Sequence, residues 1–215
     1  MQRVALGIRV HSGWGALVAV SFMPGKEEVV DRRKVVVINS KNPGVAQPYH
    51  FAESMELRAA ERHIAQCAAD SSRLALEALR QILAELCARD CKAVAAAILL
   101  SSARVLPGLD EILGSHPLIH TAEGEFFRQI FRQSLERLGI PVTGIVERDL
   151  KQRAQSVFGK AASQLQTRIG GMGRSLGPPW TTDEKTAALA AAIVLKEDVL
   201  KEDALAAGPP LKMMQ

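Results

Sequence analysis

Gly7-Ile8-Arg9-Val10-His11-Ser12-Gly13-Trp14-Gly15 is the stretch whose reading decides the fold. Working outward, Arg3 to His11 alternates well enough for a strand, Ser12-Gly13-Trp14-Gly15 reads as a glycine-rich turn, and Ala16 to Phe22 is a second apolar run. The two runs predict a β-hairpin. After a turn at Met23-Pro24-Gly25-Lys26, Val29 to Ile38 supplies a third β-branched run, in which Val35-Val36-Val37-Ile38 is continuous enough for burial on both faces. Three antiparallel strands therefore open the chain.

Beyond them, Ser40 to His50 is rich in turn formers and ends in Gln47-Pro48-Tyr49-His50. Leu79, Ile82, Leu83 and Leu86 recur at helical spacing, which predicts one long helix from about Glu53 to Arg89, with a kink or second start at Asp70-Ser71-Ser72. Lys92 to Ser102 carries the apolar run AVAAAILLSS and is read as strand four. A short helix is expected at Leu109 to Leu113, a longer one from about Ala122 to Leu138, and strand five at Val142 to Val146. A small helix near Asp149 to Val157, a glycine-rich connection from Gly170 to Gly177 and a helix from Thr182 to about Leu200 complete the pattern. Residues 1–200 are expected to form a single domain and 201–215 a C-terminal tail.

The 215 residues are 47% hydrophobic and 23% charged, which excludes the disordered, collagenous and coiled-coil classes. The apolar stretches Ala93 to Leu100 and Thr186 to Leu195 fall short of the roughly 18–20 residues a membrane span needs. No membrane partner is expected. The opening MQRVALGIRV lacks the apolar core of a secretion signal, and the three cysteines have no metal-site spacing, so a cytoplasmic protein with reduced thiols is expected. Net charge is +4, but Phe126 to Leu176 holds nine basic residues against three acidic ones. Such a concentration favours a phosphate-bearing partner, nucleic acid included, and is equally read as a solvated basic face.

The predicted order, three strands and then helix, strand, helix, strand, helix, resembles the ribonuclease H-like superfamily and especially its Holliday-junction-resolvase branch. Gly7 to Gly15 is similar to the Gly-Ile-Asp opening and glycine turn of those proteins. Gly170-Gly171-Met172-Gly173-Arg174 before the alanine-rich helix, and Gly139-Ile140-Pro141-Val142 before strand five, sit where the branch has like elements. The resemblance implies an α/β fold with a mixed five-stranded sheet, strand order 3-2-1-4-5, and helices on both faces. It also implies a site where carboxylates hold two Mg²⁺ ions. This chain departs there: Arg9 stands where the first-strand aspartate belongs, and Ser101 and Ser102 where strand four would end in an acid. A guanidinium cannot ligate a cation. Two-metal nuclease activity is therefore not expected, no residue pattern points to metal ligands, and the cofactor stays open.

The remaining candidates follow from residue chemistry. Arg9 and Ser12, at the end of the first strand, are candidate anion ligands, as are His50 in its Pro-anchored loop, Arg174 in the glycine-rich connection and Lys185. Thr121 is a suitable helix N-cap and Glu123 a dipole partner, while His120 beside Glu123 is a candidate general base. Thr181-Thr182-Asp183-Glu184 fits a capping box and leaves Asp183 as a candidate catalytic carboxylate. Three functions stay open: a binding module for a phosphate-containing ligand or nucleic acid in a basic cleft, a hydrolase or transferase using His120, Glu123 or Asp183 and Arg9, and a non-catalytic structural partner.

Overall fold

Strand β1 (Gln2–His11) lies in the middle of the sheet, and its two faces explain the layers above and below it. Val4, Leu6, Ile8 and Val10 point to one side and pack with Leu79, Ile82 and Leu86 and with Phe127, Phe131 and Leu135. Arg3, Ala5, Gly7, Arg9 and His11 alternate with them and point to the other. The computed structural model describes residues 1–23, 26–101 and 105–206. Pro24 and Gly25 of the expected turn, Ser102, and residues 207–215 of the expected tail lie outside that set.

β1 pairs antiparallel with β2 (Trp14–Met23), which pairs antiparallel with β3 (Lys26–Val36). The β1–β2 turn is the two residues Ser12 and Gly13, with Gly13 at φ +79°, a conformation that glycine takes at no steric cost. On its other edge β1 runs parallel to β4 (Cys91–Leu100), and β4 runs parallel to β5 (Val142–Val146). The order β3-β2-β1-β4-β5 is the one the sequence resemblance implied.

On the face of Val4, Leu6 and Ile8 lie α1 (Pro48–Ala52), α2 (Leu57–Ala88), α3 (Leu109–Leu113) and α4 (His116–Arg137). α2 runs through Asp70-Ser71-Ser72 as one helix. Its buried stripe Cys67, Ser71, Ala75, Leu79, Ile82 and Leu86 gains more from burial than the local propensity dip costs. The other face carries α8 (Thr182–Ala206), covered in turn by α5 (Leu150–Phe158) and α6 (Ala162–Gly171), with α7 (Gly173–Leu176) leading on towards α8. This double cover explains the alanine-rich sequence: every residue from Ala187 to Leu195 is buried. Small side chains let α8 lie directly on the sheet, and Gly7 completes the fit, since a Cβ there would overlap the carbonyl of Ala187.

Two expectations need correction at the C-terminal end. α8 does not stop near Leu200 but continues to Ala206, and Arg3 of β1 pairs with both Asp198 and Glu202 on its later turns. The stretch Gly170 to Gly177 is not an open glycine loop, because α6 extends to Gly171 and α7 follows at once. The amides of Met172, Leu176 and Gly177 are spent on the carbonyls of Ile169, Met172 and Gly173. A backbone phosphate cradle of free amides is therefore not built there.

Candidate functional site

The carboxyl end of β1, the exit of β5 and the first turn of α8 meet around one guanidinium. Arg9 donates from Nη2 to Glu147 Oε1 at 2.9 Å and from Nε to Glu147 Oε2 at 3.3 Å, and its Nη1 reaches Asp183 Oδ1. Glu147 is the residue directly after β5, and Asp183 lies in the first turn of α8, where the helix dipole favours an acid. Thr181 and Glu184 fix that turn: the Thr181 amide and hydroxyl both donate to Glu184 Oε2 at 2.7 Å. Burial works against the charge on Arg9, but the bonds and fields of Asp183 and Glu147 outweigh it and hold the guanidinium above its ordinary pKa.

Asp183 has a second partner. Its Oδ2 lies 3.0 Å from His11 Nε2, and the His11 ring stacks on Trp14, with centroids 4.3 Å apart and planes 13° from parallel. Lys34 Nζ stands 4.2 Å over the Trp14 ring. This cluster opens on a pocket of about 500 Å³ lined by Trp14, Arg32, Lys34, Asp183 and Glu184. A groove of about 620 Å³ takes Arg174, Trp180 and Lys185 into its wall. The segment that carries Trp180 is held down by Arg32, which donates to the carbonyls of Leu176, Gly177, Pro178 and Pro179.

A second polar cluster lies on the opposite side of the sheet. α4 begins at His116, earlier than the sequence predicts, so His120 sits inside the helix and Thr121 is not its N-cap but donates to the carbonyl of Pro117. Proline early in the helix starts it without a side-chain cap. Glu123 is likewise not an exposed dipole partner. Its side chain is 6% exposed, and its Oε1 accepts from the amides of Tyr49 at 2.7 Å and His50 at 3.0 Å, satisfying the first turn of α1 from another helix. Burial pushes the Glu123 carboxyl above its usual range, against the bonds from His50 and Tyr49. His50 Nδ1 lies 3.3 Å from the same oxygen, and the His50, His116 and His120 rings stand edge to face. Tyr49 faces inward against Phe126 rather than offering a stacking surface.

No family model and no curated protein matches the sequence. Among solved structures, the RuvC of Thermus thermophilus in complex with a Holliday junction substrate superposes with TM-score 0.51 at 13% identity, over 92% of this chain and 96% of that one. The yeast mitochondrial Holliday junction resolvase Ydc2 gives 0.51 at 12%, over 93% and 80%. The fold is that of the RuvC-like resolvases.

Within this resolvase fold the sequence candidates separate into two groups. Arg9 and Asp183 meet, joined by Glu147 and His11, which sequence reasoning passed over. His11 was within reach, since it shares the Arg9 face of β1 two residues on. Glu147 follows a strand end, a position any five-stranded reading places beside β4 and hence near β1. His50, His120 and Glu123 form the other group, with His116 as the residue missed. Among the described residues no hydrogen bond, ion pair or ring contact joins the two groups, so His120 and Glu123 do not form a unit with Asp183. Ser12 is exposed in the hairpin turn. Of the basic excess read from the sequence, Arg153 is spent on Glu197 and Arg168 on Glu27 through paired bonds. Arg174 and Lys185 have no carboxylate partner among the described residues.

Proposed function

We propose that this protein binds a phosphate-bearing ligand, nucleic acid in the first place, in the groove beside the start of α8, and that it does not cleave it by two-metal chemistry. The observation that carries the second half of that reading is the Arg9 guanidinium bonded to both Glu147 and Asp183. A permanent cation between the two acids offers no lone pair and repels a divalent ion from the oxygens it already occupies. The carboxylates do not fit a pair of Mg²⁺ ions.

Of the anion ligands read from the sequence, Arg174 and Lys185 carry the binding and Arg9 does not. Arg9 is neutralised twice over, so it is a poor phosphate ligand. Arg174 and Lys185 flank one groove with no carboxylate partner among the described residues, and Lys34 on Trp14 borders the neighbouring pocket. The Thermus resolvase of like fold is known in complex with a Holliday junction, which supports nucleic acid as the ligand class. The test is anisotropy of labelled four-way junction, duplex and single-stranded DNA over a salt series, with parallel incubation in Mg²⁺. Binding at low salt that weakens steeply as salt rises is expected, with intact DNA. Absence of binding at low salt refutes the first half of the reading, and Mg²⁺-dependent cutting refutes the second.

A further inference from the structure

The imidazole cluster of α1 and α4 is unused by that reading. His116 and His120 are four residues apart on α4 and so share one face, with their Nε2 atoms 3.1 Å from each other. His50 comes from α1, and one ring nitrogen from each of the three lies within 4.8 Å of the others. Two tetrahedral nitrogen ligands at the usual Zn–N length stand roughly 3.3 Å apart, so the α4 pair already has that spacing. The third nitrogen, from His50, lies within 4.8 Å of both.

The other ring nitrogens carry a second observation. His50 Nδ1 faces the buried Glu123 carboxylate at 3.3 Å, and His116 Nδ1 lies 3.9 Å from Glu53 Oε1. The His50 ring is thereby oriented with Nδ1 on a carboxylate and Nε2 left for a ligand, the arrangement in which imidazoles ligate metals, while Glu53 stands only within ion-pair range of His116. Glu123 is fixed by two backbone amides, and its Oε2 is buried without a hydrogen-bond partner among the described residues. Beneath the cluster Ile112, Ile119 and Ala122 pack with Tyr49, Leu106 and Leu118, which ties α1, α3 and α4 together.

We infer that His50, His116 and His120 form a binding site for one divalent transition-metal ion of the Zn²⁺ class, with Glu123 as a positioning residue for His50. Three neutral imidazoles suit Zn²⁺, Co²⁺, Ni²⁺ or Cu²⁺ and give Mg²⁺ none of the oxygen ligands it requires. The His116 side chain is 61% exposed, so a fourth position opens to solvent and takes water or a small anion. The site is independent of the Arg9 cluster and of the groove beside α8.

The experiment is titration of the chelator-treated full chain with Co²⁺ and Zn²⁺, followed by visible absorption and calorimetry. One equivalent of Co²⁺ is expected, with the intense bands of four- or five-coordination, displaced by Zn²⁺ and untouched by Mg²⁺. His116→Ala and His120→Ala, at exposed positions, abolish those bands in a protein whose circular dichroism is unchanged. Glu123→Gln weakens Zn²⁺ binding roughly 10- to 100-fold. Failure of the folded wild type to bind either ion overturns the inference. Binding that survives His50→Ala with the pale spectrum of octahedral Co²⁺ also overturns it, because the α4 pair then chelates alone.

Discussion

Arg9 holds Glu147 through Nη2 at 2.9 Å and Nε at 3.3 Å, so an arginine near the carboxyl end of the central strand β1 closes the space between the exit of β5 and the first turn of α8. The family resemblance of the sequence implied a cation supplied from solution in this space. Here the cation is covalently part of β1. The arrangement also explains the reach of α8 along β1: Arg3 anchors Asp198 and Glu202, Gly7 receives Ala187 in the middle, and Arg9 and His11 take Asp183. One strand face thus carries a basic clamp at each end of the helix and a glycine where they touch.

Replacing the built-in cation separates charge balance from fold. Arg9→Asp leaves three carboxylates facing one another, a set that attracts Mg²⁺ and Mn²⁺. The variant is expected to melt below the wild type in chelator and to gain thermal stability as Mg²⁺ is added, by mass action. The wild-type melting temperature stays constant over the same series. Differential scanning fluorimetry reads both, and a variant indifferent to Mg²⁺ sinks the view that these carboxylates converge.

The Gly7 contact predicts a sharp contrast between two glycines. Gly7→Ala drives a methyl group into the Ala187 carbonyl, and neither β1 nor α8 can move without unpacking the other. A loss of about 3 kcal/mol is expected in urea denaturation. Gly170→Ala, in α6 with nothing near the added methyl, gains about 0.5–1 kcal/mol from helix propensity.

Much of this was legible in the sequence because burial and alternation are local signals. The hairpin, the apolar run of β4 and the alanine-rich α8 each announce themselves within ten residues, and their order fixes the sheet. The site was legible by halves. Arg9 and Asp183 stand out as residues, yet their pairing with Glu147 depends on where β5 ends relative to β1, which no short window contains. The start of α4 was placed late because Thr121 looks like a cap, whereas Pro117 starts the helix nearer Ser115. That shift of a turn and a half hid the His116–His120 pair. The glycines of 170–173 misled for a related reason: α6 absorbs Gly170 and Gly171, since Ile169 and Leu165 are anchored in the core beneath α8, and Gly173 opens α7.

The capping turn of α8 gives stability a pH dependence. Burial raises the Glu184 pKa, but the Thr181 amide and hydroxyl outweigh it, so the folded value lies below the ordinary 4.5. A depressed carboxyl pKa contributes stability that is full above the ordinary value and is lost as pH falls through the folded one. Wild-type stability is therefore expected to decline below about pH 4.5. Glu184→Gln keeps an acceptor for Thr181 but does not titrate, so its decline over that window is shallower. Equal slopes in urea titrations of the two proteins at pH 3 to 5 contradict the assignment.

Binding at the groove is separable from the ion pairs that hold α8 in place. Arg174 and Lys185 touch the ligand in the proposed reading, so Arg174→Glu and Lys185→Glu each weaken DNA binding across all sequences. Each should also flatten the plot of log affinity against log salt by about 0.9 for every phosphate that is no longer neutralised. Arg153→Gln is the control: it breaks the paired bonds to Glu197 between α5 and α8, which lowers stability without touching the groove. Its salt slope stays at the wild-type value. If Arg153→Gln flattens the slope as much as Lys185→Glu does, the DNA follows the general basic surface of the chain, and the groove has no special claim on it.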